Sequence, residues 1–249
     1  MQPEPPPIEE VPEEPKPMSE VARLFGVFFS PGAAFADIAK RPRWWVPILV
    51  LAILGIGVTY VFNQKVGFDV AIRQAMDRNP QALQLNAQQR ENLIRLQTNV
   101  VKYIAYGGVV VTTVFYFVIA LILLFLFNTI LGADIRLKQM MAVVTYGALP
   151  QILVSLLTVA VIFMKPPEDI DFQNPLAFNA AAFLPEDAPG WLRGFCTPLD
   201  LFNFWMIGLL GIGVSRAARK ISTAKAIVTI LFPWSLWVAL RTAIGMFQG

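Results

Sequence analysis

Long apolar stretches with at most two charged residues each limit what this chain can fold into more than any other feature. A helix needs about 20 largely apolar residues to cross a hydrocarbon layer about 30 Å thick. Five stretches approach or exceed that length: 44–62, 103–131, 142–164, 199–218 and 226–247. Backbone in lipid has no water to bond, so each stretch should be a helix. The sequence therefore predicts an all-α, polytopic membrane protein with a five-helix transmembrane bundle.

The stretch 199–218 is the shortest apolar run of the five, because Arg216 lies inside it. An arginine near a span end can extend its charge to the headgroups, which keeps the stretch usable as a span. Thr197, Pro198 and Asp200 form a pattern typical of a helix start, with Thr197 as the cap. A four-span arrangement with one re-entrant segment is the alternative.

Composition argues against catalysis. The chain has 249 residues, of which 56% are hydrophobic and 15% charged, whereas soluble domains carry about 25% charged residues. It contains no histidine and a single cysteine, Cys196, so the commonest general base and an internal disulfide are both excluded. We therefore predict no enzyme activity, no cofactor and no metal. A net charge of +3 without a basic stripe also predicts no nucleic-acid partner.

Three regions follow one another along the chain. Residues 1–17 are acidic and proline-rich, which predicts a disordered tail. Residues 18–43 predict interfacial amphipathic helices, with Ser30 and Pro31 at a helix start and Trp44 at the membrane boundary. The alternative is that these helices pack under the bundle without a lipid role. Residues 44–249 form the transmembrane domain.

Lysine and arginine near the span ends predict the orientation. Basic residues precede span one and occupy the 2–3 and 4–5 connections, whereas the 3–4 loop is acidic. This predicts an inner (plasma) membrane protein with a cytoplasmic N-terminus and an outside C-terminus. The 1–2 loop, 63–102, disagrees because it carries six basic residues, several of which are distant from a span end.

Two loops have their own character. In 63–102, apolar residues recur at helical spacing, Pro80 breaks the pattern, and Asn86 with Gln89 predicts a new cap. We predict a helical pair that extends beyond the membrane; a helix lying on the membrane surface is the alternative. The 3–4 loop, 165–198, alternates prolines with aromatic residues, which predicts an irregular segment at the outer interface.

Candidate site residues fall into two groups. Basic residues near span ends could contact anionic lipid or a protein partner: Arg41, Arg43, Arg216, Arg219 and Lys220. Polar, proline or charged residues inside spans could bond between helices or kink them: Tyr146, Pro150, Gln151, Asn203, Pro233 and Arg241.

The chain resembles the Yip domain family, Ypt-interacting-protein-like membrane proteins, in its bacterial form. The likeness lies in FFSPGAAFADIAKRPRWWVPIL (28–49), GADIRLKQMMAVVTYGALP (132–150) and DLFNFWMIGLLGIGVSRAARKIS (200–222), and it covers residues 20–246. The resemblance implies five helices and a cytoplasmic N-terminus. Eukaryotic members act in vesicle traffic and contact Rab-type GTPases, but the DLYGP-type motif of those members is absent here, so that role is not carried over.

Two functional hypotheses follow. The first is a non-enzymatic membrane protein that organises membrane or assembles with lipids, other membrane proteins or further copies of itself. The second is a small-solute transporter or channel subunit, which Pro150, Pro233 and the neutral polar residues would favour. A water-accessible cavity at Tyr146, Gln151 and Asn203 would distinguish the second from the first.

Overall fold

The computed structural model describes residues 16–77, 80–166, 170, 176, 178–185, 187–218 and 220–246. Within them the α-helices are α1 Glu20–Phe29, α2 Pro31–Lys40, α3 Trp45–Lys65, α4 Phe68–Asp77, α5 Pro80–Leu83, α6 Ala87–Tyr106, α7 Gly108–Phe125, α8 Leu137–Gly147, α9 Gln151–Met164, α10 Gly190–Cys196, α11 Leu201–Ala217 and α12 Thr223–Met246. A π-helical turn, Leu126–Ile130, extends α7, and a 3₁₀ turn spans Ala180–Phe183. The predicted all-α class is confirmed.

In the part of the chain that the structure describes, four helical stretches are long and apolar enough to cross a membrane: Trp45–Lys65, Gly108–Ile130, Leu137–Met164 and Thr223–Met246. The remaining predicted span, 199–218, corresponds to α11, which is apolar but has only 17 residues, a length of about 25 Å. Thr197 was wrong as its cap. Asp200 takes that position instead and accepts the N–H groups of Phe202 and Asn203.

Helix α11 runs antiparallel to α8 and α9. A Cβ added at Gly213 would lie 2.7 Å from Val143 Cγ1, and one added at Gly147 would lie 2.8 Å from Leu210 Cδ2. The last residue of α11 is therefore at the same end of the bundle as the first residue of α8. Trp44, which precedes α3, lines a groove together with Leu137 and Lys138. We call this end of the bundle the Trp44 end and the opposite one the Lys65 end.

Helices α4 and α6 form a packed pair at the Lys65 end. The guanidinium of Arg73 donates two hydrogen bonds of 2.9 Å to the carboxylate of Glu91, and Arg90 pairs with Asp77. Ile72, Met76, Ala82 and Ile94 are buried together. The predicted cap of α6 is confirmed, because Asn86 and Gln89 exchange side-chain and backbone hydrogen bonds.

The ion pair between Arg73 and Glu91 should make the α4–α6 contact sensitive to acid. The hydrogen bond and charge of Arg73 lower the pKa of Glu91. A lowered pKa stabilises the folded state above the ordinary pKa, and this contribution is lost as the pH falls from the ordinary pKa through the lowered one. Spin labels on α4 and α6 should therefore show a broader distance distribution as the pH falls below about 4.5. Glu91→Gln should remove most of this pH dependence; a variant that broadens as the wild type does would contradict the pair's role.

The 3–4 loop is less irregular than predicted. Residues 167–169, 171–175, 177 and 186 lie outside the described residues, but α10 forms within the loop and packs against the end of α12. A Cβ at Gly194 would lie 2.6 Å from the carbonyl oxygen of Arg241. The sequence gives little warning of α10, because seven residues are too few to show a helical period.

Candidate functional site

Helices α1 and α2 form a hairpin whose open end lies at the Trp44 end, where Glu20 pairs with Arg43. Helix α1 begins after Ser19, whose hydroxyl accepts the N–H of Ala22 at 3.2 Å. The chain turns at Ser30, where Pro31 supplies a preset first helical residue. The two helices approach closely, since a Cβ at Gly26 would lie 3.1 Å from the Cβ of Ala34.

Arg23 is buried inside this hairpin, with 2% of its surface exposed. Its Nε donates to Asp37 Oδ2 at 2.7 Å, and its Nη1 donates to Glu20 Oε1 at 2.9 Å and to the carbonyl of Arg41 at 3.1 Å. Burial lowers the pKa of Arg23, but the hydrogen bond to Asp37 and the charge of Glu20 outweigh it, so the pKa is raised overall. Arg23 therefore stays charged and holds the two helices together.

Glu20 connects the hairpin to the rest of the bundle. One carboxylate oxygen accepts a hydrogen bond of 3.1 Å from Nη1 of Arg43, and the other accepts one of 2.7 Å from the hydroxyl of Tyr146. The two arginines, Glu20 and Asp37 together carry no net charge. The group is a positioning network that fixes the hairpin against α3 and α8.

Apolar and polar contacts extend the docking of the hairpin. The ring of Phe28 lies 5.8 Å from that of Trp205 in an edge-on arrangement. The side-chain amide of Gln139, in the first turn of α8, donates to the carbonyl of Ala39 at 2.9 Å. Helix α1 thus contacts α11, and α2 contacts α8. Helix α2 also packs on α11, since a Cβ at Gly213 would lie 3.0 Å from the ring of Phe35.

The outer face of α1 is apolar and uncovered. Val21, Phe25 and Phe29 recur every four residues and are 62%, 63% and 82% exposed. The buried charges point toward the bundle and these three side chains point away from it. An amphipathic helix with this division can lie at a membrane interface.

The structure brings the predicted lipid contacts to one end. The described members of that set are Arg41, Arg43, Arg216 and Lys220, and Arg219 lies outside the described residues. A Cβ at Gly32 would lie 3.2 Å from Nη2 of Arg216, so this guanidinium rests on α2. Arg41 and Lys220 are exposed.

The predicted polar residues inside the spans all have local partners. Tyr146 donates to Glu20, Gln151 Nε2 lies 3.2 Å from the sulfur of Met206, and Asn203 Nδ2 donates to the carbonyl of Pro198 at 3.2 Å. One groove lies between α3 and α7 and another between α7 and the start of α8. None of the three predicted residues lines either groove.

The remaining predicted residues lie in three separate places. Pro150 directly precedes α9, at the break that separates it from α8. Pro233 lies inside α12. Arg241 is exposed near the end of the same helix, and its carbonyl is the one that Gly194 approaches.

Sequence reasoning missed Glu20 and Asp37 and counted Arg23 only among the basic residues that precede span one. Glu20 and Arg23 are three residues apart on an amphipathic helix, a spacing that places them on one face. That signal could have suggested a local pair, but not its burial. Among the described residues there is no cluster of three or more side chains suited to a metal ion.

Comparison with known proteins agrees with this architecture. The family model described as the Yip1 domain matches residues 25–244. Membrane protein YknW of Bacillus subtilis (strain 168) is 26% identical over 234 residues, which cover 91% of this chain and 94% of that protein. No solved structure matches the chain. The resemblance read from the sequence is thus confirmed, and this membrane protein belongs to the Yip1 domain family.

Proposed function

We propose that this protein is a non-enzymatic organiser of the inner membrane, with the α1–α2 hairpin and the nearby basic residues at the cytoplasmic leaflet. The observation that supports the proposal is that the hairpin places its charged and its apolar side chains on opposite faces. Its charges are paired inward through Arg23, and its outward face is the apolar row Val21, Phe25 and Phe29. Such a helix can enter the headgroup region while remaining fixed to a transmembrane bundle.

Anionic lipid is the partner that this end of the bundle favours. Arg41, Arg216 and Lys220 have exposed side chains near the hairpin. Basic residues close to an anionic membrane surface contribute about 1 kcal/mol each. The apolar row and the basic residues would then hold the acyl chains and the headgroups of the same lipids.

The combined variant Arg41→Gln, Arg216→Gln and Lys220→Gln tests this proposal. In nanodiscs, its preference for spin-labelled phosphatidylglycerol over phosphatidylcholine should fall by about fivefold for each charge removed. The matched control is Lys65→Gln, Arg95→Gln and Lys102→Gln, which removes three charges from the Lys65 end. An equal loss in both proteins, or no loss in the first, would overturn the proposal.

The transporter alternative gains no support from the neutral polar residues that suggested it. Tyr146, Gln151 and Asn203 are engaged with Glu20, Met206 and Pro198. These contacts hold neighbouring parts of the bundle together, which is a structural role. Assembly with other membrane proteins remains part of the proposal, and co-purification in mild detergent would identify such partners.

A further inference from the structure

One face of α6 carries a row of exposed apolar side chains. Leu96, Val100 and Tyr103 are 61%, 56% and 79% exposed, and Leu93 is 37% exposed. The opposite face, with Ile94, packs on α4. The row is therefore turned away from the contacts that the chain makes with itself.

This row continues past the part of the helix that lipid would cover. Ala105 and Thr59 line the same groove between the helices, so they lie at a similar height. Toward the Lys65 end, Leu96 is about 14 Å from Ala105 along α6, whereas Lys65 is about 9 Å from Thr59 along α3. Leu93 and Leu96 thus lie beyond the last residue of α3, on a helix segment that also carries Arg90, Glu91, Arg95 and Lys102.

The spacing of the row is that of a two-stranded seam. Positions 93, 96, 100 and 103 are separated by three, four and three residues, the alternation of positions a and d in a heptad. The same sequence spacing reaches Gly107, between the two helices, and Val110 and Val114 in α7. Val110 and Val114 are 69% and 56% exposed, so apolar side chains at this spacing are uncovered on both helices.

The residues beside the seam suit an identical neighbour. Asn92, Gln97 and Asn99 flank the row and are uncharged. Two copies inserted in one membrane share one orientation, so their α6 helices would be parallel and would place identical residues opposite each other. Like charges would repel in that arrangement, whereas amides both donate and accept hydrogen bonds.

Two charged residues of α6 just before the row are paired within the chain. Arg90 pairs with Asp77, and Glu91 pairs with Arg73. These two ion pairs hold α6 on α4, so the apolar row of α6 faces outward. An acidic or basic partner protein would find no charged residue of α6 between Leu93 and Tyr103 on this face.

We propose that α6 is a self-association surface on which a second copy of this chain docks in parallel. Leu93, Leu96, Val100 and Tyr103 meet their counterparts, and the contact continues along α7 within the membrane. This inference does not depend on the lipid role of the Trp44 end.

Disulfide crosslinking in proteoliposomes tests the seam. With Cys196 replaced by alanine, Leu96→Cys and Tyr103→Cys should each give a disulfide-linked dimer. The matched controls Arg95→Cys and Lys102→Cys are exposed neighbours one residue earlier. They face away from the seam, and cysteines whose Cα atoms are more than about 7 Å apart cannot join.

Three results would overturn the proposal. Equal crosslinking of the controls would indicate random collision. If the cysteine variants crosslink only in native membranes, and to a protein heavier than this chain, the surface binds another partner. No crosslink, with a fluorophore at Leu96→Cys quenched by brominated lipid, would place α6 on the membrane surface.

A second measurement keeps the inference independent of cysteine chemistry. The double variant Leu96→Glu with Val100→Glu should raise the dimer dissociation constant at least about tenfold, measured by subunit photobleaching in lipid. Unchanged helical circular dichroism would show that the variant folds. A dimer fraction equal to that of the wild type in this folded variant would contradict the seam.

Discussion

Replacing Arg23 with methionine is expected to lower the free energy of unfolding by about 3–5 kcal/mol. The side chain is 2% exposed and bonds to Asp37 and Glu20. Methionine fills a similar volume but leaves both carboxylates without their common partner inside the hairpin. Unfolding in mixed detergent, followed by circular dichroism, measures the loss.

Two further variants separate a buried network from a general effect of charge. Arg95→Met makes the same chemical change at an exposed position and should cost less than about 1 kcal/mol. Arg23→Met combined with Asp37→Leu should be less destabilised than the sum of the single variants, because the pair is removed together. Equal stability of Arg23→Met and Arg95→Met would show that the network does not hold the hairpin.

Gly213→Ala is expected to destabilise the protein by about 1–3 kcal/mol, the usual cost of overpacking. The added methyl group would lie 2.7 Å from Val143 Cγ1 and 3.0 Å from the ring of Phe35. The branched Val143 and the buried Phe35 have little freedom to move. The substitution should therefore separate α2 from α8 and α11.

Gly208→Ala, on the same helix, is the matched control for Gly213→Ala. A Cβ there meets no atom within 4 Å, and alanine favours helix more than glycine does. It should be neutral or slightly stabilising in the same unfolding measurement. Protease cleavage near the α1–α2 turn should rise in Gly213→Ala only; similar cleavage of both variants would contradict the tight contact.

Local patterns predicted the elements that depend on local physics. Trp45–Lys65 and Gly108–Ile130 follow from apolar length, because every backbone group in lipid must bond within its own helix. The cap of α6 follows from two residues, Asn86 and Gln89, that bond each other. The start of α11 was misplaced by three residues because Thr197 and Asp200 are both acceptable caps.

The candidate site was predicted only in part. Proximity of Arg41 and Arg216 at one end follows from counting spans, because four predicted spans lie between them and an even number of crossings returns the chain to the same end. The burial of Arg23 does not follow from any count. Its partner Asp37 is fourteen residues away, and Arg23 is as consistent with a solvated helix face as with a buried one.

The sequence by itself determined that this chain forms helices within the membrane, because the length of an apolar segment can be read from that segment alone. Tertiary structure decided which charges are hidden and which faces stay open. The bond from Tyr146 to Glu20 joins residues 126 positions apart, and the exposed side of α6 exists only because Ile94 turns toward α4. Both features depend on how the helices pack, which neither the composition nor the hydrophobic period of the sequence specifies.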